Sequence, residues 1–170
     1  MNKLIKKKLI ALMEKCMSYL EGVTDNTVTY KSDGTLVTKA DKYLSKFISI
    51  ELIKLYPNIP IISEEEALYN KILKENCYWL IDPIDGTASY AKGGKGYTIN
   101  IALIEKGVPV IGIIGYPAEN TIWYGQGKNA FIIKGGKHLN LNVVVPNAKI
   151  RIVMSNNPDS HTIKFLQTIK

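Results

Sequence analysis

The chain has 170 residues, 46% of them apolar and 22% charged, which suits one packed domain and excludes disordered, collagen-like and low-complexity architectures. Twenty-two basic against fifteen acidic residues leave a net charge of +7, but Arg151 is the one arginine. Base readout and bidentate phosphate clamps draw on arginine, so its scarcity argues against nucleic acid as a partner, while the charge suits a small anionic substrate.

In chain order, Leu4, Ile5, Leu9, Leu12, Met13, Cys16 and Leu20 recur at a 3.6-residue period and predict an amphipathic helix over 4–21, closed by Gly22. Its basic start resembles a signal peptide, but the apolar part, Leu9 to Met13, is too short for one. Lys15 before Cys16 spoils a lipoprotein cleavage site, and no run approaches the ~18 apolar residues of a membrane span. A cytoplasmic chain, at most peripheral to a membrane, is the expectation. Cys16 and Cys77 show neither metal spacing nor a disulfide framework.

Residues 23–37 are polar and Thr-rich, and Lys31-Ser32-Asp33-Gly34 predicts a turn that can tip a hairpin. A second helix is predicted from Thr38 to Tyr56, with Ala40, Leu44, Phe47, Ile48, Leu52 and Leu55 on its face and Pro57 ending it. Ile59 to Ile62 predicts a short buried strand delivering Glu64, Glu65 and Glu66, and residues 67–76 a helical or irregular link. Tyr78 to Ile81 predicts an apolar strand that Pro83 stops immediately after Asp82. Gly86-Thr87 can start a helix, and a glycine-rich stretch (Gly93, Gly94, Gly96) follows. Strands are predicted at 97–105, 109–116, 121–125, 130–134 and 149–154, then a last helix capped by Asn157-Pro158-Asp159.

The fold class read from this order is α+β, helices packed on a mostly antiparallel sheet. Residues 1–147 are expected to form an N-terminal α+β domain, and 148–170 the start of an incomplete C-terminal α/β domain. That tail is expected to expose an apolar patch around Ile150, Ile152, Phe165 and Leu166, a surface for self-association.

The chemistry concentrates in Asp82-Pro83-Ile84-Asp85-Gly86-Thr87. Two carboxylates on a turn at a strand end suit a hard divalent cation, above all Mg2+, and free backbone N–H groups beside them suit a phosphate. Glu64 and Glu65, at the end of another strand, can add a third carboxylate and a bridging ligand. An Asp-Pro-x-Asp-Gly segment also occurs as a plain solvated turn, and a glutamate run as an exposed helix start; the preceding apolar strand favours a site. A haloacid-dehalogenase mechanism is excluded, because its nucleophilic aspartate would stand where this chain has Pro83.

Thr38-Lys39-Ala40-Asp41, then Ser63-Glu64-Glu65, then Asp82-Pro83-Ile84-Asp85-Gly86-Thr87 resemble the ordered signature of the inositol monophosphatase superfamily of lithium-sensitive, Mg2+-dependent phosphatases. The stretch from Tyr97, YTINIALIEKGVPVIGIIGYP, most resembles its CysQ branch, the 3′(2′),5′-bisphosphate nucleotidases. The resemblance implies a layered sugar-phosphatase fold. It implies two or three Mg2+ ions, inhibited by Li+, on Glu64, Asp82, Asp85 and the carbonyl oxygen of Ile84. Asp41 and Thr87 would orient and deprotonate the attacking water, with Glu64 also in the catalytic set. The Gly86 and Thr87 amides would receive the phosphate, Glu65 would support the cluster, and Lys92 and Lys95 would meet a second phosphate. The implied substrate is a small phosphorylated molecule, a nucleotide bisphosphate or a sugar phosphate. Adenosine 3′,5′-bisphosphate is the first choice and an inositol monophosphate the alternative.

The family's later Trp-Asp and Ala-Gly motif, which supplies another metal ligand, has no counterpart here: neither Trp79 nor Trp123 is followed by Asp. The chain therefore reads as a truncated or split member. It is expected to bind metal yet turn over poorly, or to serve as a non-catalytic remnant, with a second copy or a separately encoded C-terminal half as partner.

Overall fold

A computed structural model describes residues 3–25, 27–32, 34–65, 75–141 and 163–164. Helix α1 (Lys3–Gly22) buries Leu9, Leu12, Met13, Cys16, Met17 and Leu20, as its periodicity requires, while Leu4 in the first turn is 52% exposed. Strands β1 (Val28–Tyr30) and β2 (Leu36–Thr38) pair antiparallel, so the turn after Tyr30 does tip a hairpin. Helix α2 (Lys39–Leu55) opens with a capping box. The Thr38 hydroxyl accepts from the Asp41 N–H at 3.3 Å and the Asp41 carboxylate accepts from the Thr38 N–H at 2.8 Å. Thr38 is thus the cap of this helix rather than its first turn.

The main sheet consists of β3 (Ile61–Ser63), β4 (Cys77–Asp85), β5 (Thr98–Glu105), β6 (Val108–Tyr116), β7 (Thr121–Gln126), β8 (Asn129–Lys134) and β9 (Lys137–Asn140), lying side by side in that order. The β3–β4 pair is parallel and every later pair antiparallel. Helix α1 packs over β5 and β6, and α2 over β4, on one face. The approach of α1 is close at Gly115, where a Cβ would collide with the Met13 side chain. Ser45 of α2 and Ser63 of β3 share a buried hydrogen bond of 2.7 Å. Among the described residues no helix is long and apolar enough to cross a membrane.

One expectation is corrected, and one strand was not predicted. Pro83 does not stop β4, which continues to Asp85. The reason lies in its neighbours: β3 ends at Ser63 opposite Ile81, so beyond that point β4 is bonded only to β5, and a register shift between Asp82 and Asp85 absorbs the missing N–H. Strand β9 lacks any apolar pattern and is exposed throughout, yet it pairs with β8. Gly135 and Gly136, at φ 56° and 74°, form the left-handed two-residue turn that hairpins favour. The predicted strand at 149–154, the patch around Ile150, Ile152, Phe165 and Leu166, and residues 67–74 of the link lie outside the described residues, as does Glu66.

Strand alternation divides the sheet's side chains into two sets. Trp79, Ile81, Ile99, Ile101, Ile111 and Ile113 are buried under the helices. The register also runs Asp82, Asn100, Ile114, Trp123 and Ile132 as one row across four strand pairings on the opposite face.

Candidate functional site

The site is built where β4 leaves the sheet. The Glu64 N–H donates to the Ile81 carbonyl at 3.1 Å, which holds the glutamates after β3 beside the end of β4. Asp82 lies opposite Asn100, the register shift buries Pro83 and Ile84, and Asp85 returns opposite Thr98. Gly86 then turns the chain at φ 92°, where a Cβ would stand 2.5 Å from the Gly96 carbonyl oxygen. Glycine is required there on both counts. Helix α3 (Thr87–Ala91) follows directly.

Asp41 is 1% exposed, and its capping box fixes its carboxylate. Oδ2 accepts from the Thr38 N–H and from the Thr38 hydroxyl. Oδ1 stands 3.2 Å from the Thr87 hydroxyl, which is also 2.9 Å from the Ile84 carbonyl oxygen. One hydroxyl proton therefore has two acceptors, and whichever it leaves keeps a free lone pair.

Asp82 is electrostatically the most stressed carboxyl of the cluster. Its Oδ1 is buried with no hydrogen-bond partner. Its pKa is pushed up to about 7, first by desolvation, then by the negative charges of Glu64 and Asp85, a hydrogen bond to the Glu64 carboxyl, and the charge of Asp41.

A lysine ammonium reaches the glutamates of this corner. Lys31, from the hairpin tip, places Nζ 2.9 Å from Glu65 Oε1 and 3.8 Å from Glu64 Oε1. Burial raises the Glu65 pKa, the Lys31 hydrogen bond and charge pull it down, and Asp41 and Glu64 add smaller upward pushes. Lys31 escaped the sequence reading because it lies 33 residues from Glu64 in a polar turn, with no spacing signal to connect them. Among the described residues, no three Asp, Glu, His or Cys side chains already enclose an ion-sized point. Glu64, 3.8 Å from Lys31 and also a partner of Asp82, has a side chain that is 56% exposed.

The fold thus brings Asp41, Glu64, Glu65, Asp82, Ile84, Asp85, Gly86 and Thr87 to one corner. Lys92 and Lys95 are exposed on the connection after α3. A cleft of about 360 Å³ adjoins the turn, lined by Asp85, Gly86, Gly96, Tyr97, Thr98, Tyr116 and Trp123. All-oxygen donors with an orphaned buried carboxylate oxygen fit a hard divalent cation such as Mg2+.

Known proteins share its residue pattern and its fold. The residue pattern of the inositol monophosphatase family matches residues 2–169. The 3′(2′),5′-bisphosphate nucleotidase CysQ of Buchnera aphidicola is 36% identical over 145 residues, which are 84% of this chain and 55% of the relative. An IMPase from Thermotoga maritima superposes with a TM-score of 0.64 at 28% identity, over 92% of this chain and 55% of that one. An IMPase/NADP phosphatase complexed with Mg2+ and phosphate has the same fold, with a TM-score of 0.67 at 24% identity, over 76% of this chain and 51% of that one. The chain spans about half the length of these relatives.

Proposed function

The chain belongs to the inositol monophosphatase family, and from that premise we propose that it is a cytoplasmic, Mg2+-dependent phosphomonoester hydrolase whose preferred substrate is adenosine 3′,5′-bisphosphate. The observation that carries this reading is Asp82, with an unpartnered buried oxygen among Glu64, Asp85 and Asp41, beside the Asp41–Thr87 pair. Mg2+ would be held by Glu64, Asp82, Asp85 and the Ile84 carbonyl. When bound, it supplies Lewis-acid polarisation of the phosphate and neutralises charge on the leaving oxygen.

The remaining work falls to the chain itself. Thr87 donates its hydroxyl proton to Asp41 Oδ1, and its oxygen then accepts a proton from the attacking water. Asp41 is a competent acceptor because Thr38 fixes its other oxygen. The Gly86 and Thr87 amides open α3 and have no acceptor within that helix, so they are available to phosphate oxygens. Glu65, paired with Lys31, would be a supporting carboxylate beside Glu64. Lys92 and Lys95, exposed on the connection after α3, are the candidates to meet a second phosphate.

The nucleotide preference follows the Buchnera relative and the sequence from Tyr97 to Pro117. It is tested by phosphate release from adenosine 3′,5′-bisphosphate and inositol 1-phosphate, on this chain and on a chimera completed with the remaining length of that relative. Faster release from the bisphosphate, dependent on Mg2+ and blocked by Li+, is the expected result. Preference for inositol 1-phosphate moves the chain to the monophosphatase branch. No release from the folded chimera makes it a non-catalytic binding protein.

A further inference from the structure

Helix α2 and strand β3 meet through two serines, and each stands beside a carboxylate of the site. Ser45 lies one helical turn after Asp41, on the same buried face of α2. Ser63 ends β3 and directly precedes Glu64. We propose that Ser45 and Ser63 are positioning residues of the cation site: their hydrogen bond fixes the Glu64–Glu65 turn against the helix that carries Asp41. The inference rests on the cation-site reading above and adds two residues that act through the glutamates without touching an ion.

Three observations carry it. The first is connectivity. Ser45 Oγ and Ser63 Oγ stand 2.7 Å apart, and Ser63 Oγ also accepts the Glu65 N–H at 3.4 Å. One hydroxyl thus joins α2, the end of β3 and the second glutamate, while the Ile81 carbonyl accepts the Glu64 N–H between them at 3.1 Å. The second is that nothing else ties the turn to α2. Lys31 holds the turn from the hairpin, through the Glu64 carbonyl at 3.4 Å and the Glu65 carboxylate at 2.9 Å. From α2, among the described residues, Ser45–Ser63 is the one side-chain hydrogen bond to β3. The exposed Glu64 side chain is placed by the backbone beneath it rather than by packing. The third is energetics. Both serines are buried. A neutral hydrogen bond that folding exchanges for bonds to water adds little net stability, and replacing both partners by apolar groups is close to neutral. What the pair adds is control of the distance between the glutamate read as a cation ligand and the aspartate read as the proton acceptor. Metal sites depend on such outer partners, and losing one typically lowers metal affinity by about 10–100-fold.

The test titrates Mg2+ calorimetrically into the 170-residue chain and its Ser45→Ala, Ser63→Ala and double variants, with urea unfolding in chelator as a separate reading of stability. Alanine suits a helix better than serine does, so Ser45→Ala should fold. Positioning predicts that each single variant binds Mg2+ about tenfold more weakly, out of proportion to any change in its urea midpoint. The double variant should lose no more than either single one, because both remove the same bond. A lower urea midpoint with unchanged Mg2+ affinity makes the pair a structural contact and overturns the inference, leaving the cation site intact. Losses that multiply in the double variant also overturn it, because the two serines would then act separately. If Ser63→Ala fails to fold by circular dichroism, the affinity of Ser45→Ala decides alone. No Mg2+ binding by the unmutated chain overturns the cation-site reading and the inference with it.

Discussion

The two faces of the main sheet are written by the same strands and have opposite roles. Under the helices, Trp79, Ile81, Ile99, Ile101, Ile111 and Ile113 are at most 2% exposed. On the other face Leu80 is 37% exposed and Ile114 41%, and Ile114 shares its row with Asp82, Asn100 and Trp123. With a side-chain period of two, every second residue can serve stability while those between are free for chemistry. β4 shows this within four residues: Trp79 and Ile81 anchor the core, and Asp82, one step later, holds a carboxylate oxygen that no protein group satisfies. A stressed group is tolerated because its neighbours on the same strand are so firmly packed.

Substitutions break this comparison in graded ways. Trp79→Ala, on the covered face and against Tyr56, should cost about 3–5 kcal/mol in urea unfolding, much of the stability of a domain this size. Gly86→Ala should cost about 1–3 kcal/mol, because both its φ of 92° and the nearby Gly96 carbonyl oppose a side chain. It should also blunt any response to Mg2+, as the turn can no longer present its amides beside Asp85.

Asp82 provides a pH test on the open face. Its folded pKa of about 7 lies above the ordinary 3.8, so between these values the folded chain holds a proton that the unfolded chain has lost. The associated stability is present at low pH and is lost as pH rises through about 7. In chelator, thermal midpoints should therefore fall over that range, and Asp82→Asn should flatten the profile. Partial exposure of this corner keeps the effect modest. The smallest change is Leu80→Ser, expected within about 0.5–1 kcal/mol of the unmutated chain by the same urea assay, although it neighbours Trp79 in sequence.

The sequence made the covered face legible, because helices at period 3.6 and apolar strands at period two announce themselves locally. It also marked the carboxylates, since Asp82, Asp85 and Glu64 each follow an apolar strand. Three features were hidden because their causes are non-local. Pro83 inside β4 depends on β3 ending opposite Ile81. The exposed strand β9 exists because Gly135-Gly136 folds it back on β8. Lys31 meets Glu65 only after the hairpin and the β3 loop are in place, and no pattern in the chain links residues that far apart. Tyr116 and Trp123 are the same kind of case, since pairing of β6 with β7 brings two unremarkable aromatics to one cleft.

The most direct measurement of the central claim, that the open-face carboxylates form a cation site, is a thermal melt at pH 8 in MgCl2, set against chelator with KCl at matched ionic strength. A cation bound only by the folded chain raises the midpoint by mass action. The unmutated chain should melt higher in Mg2+, and Asp85→Asn should melt at the same temperature in both. Superimposed curves for the unmutated chain would contradict the account, because Asp82, Asp85 and Glu64 would then be a charged corner that takes up no ion.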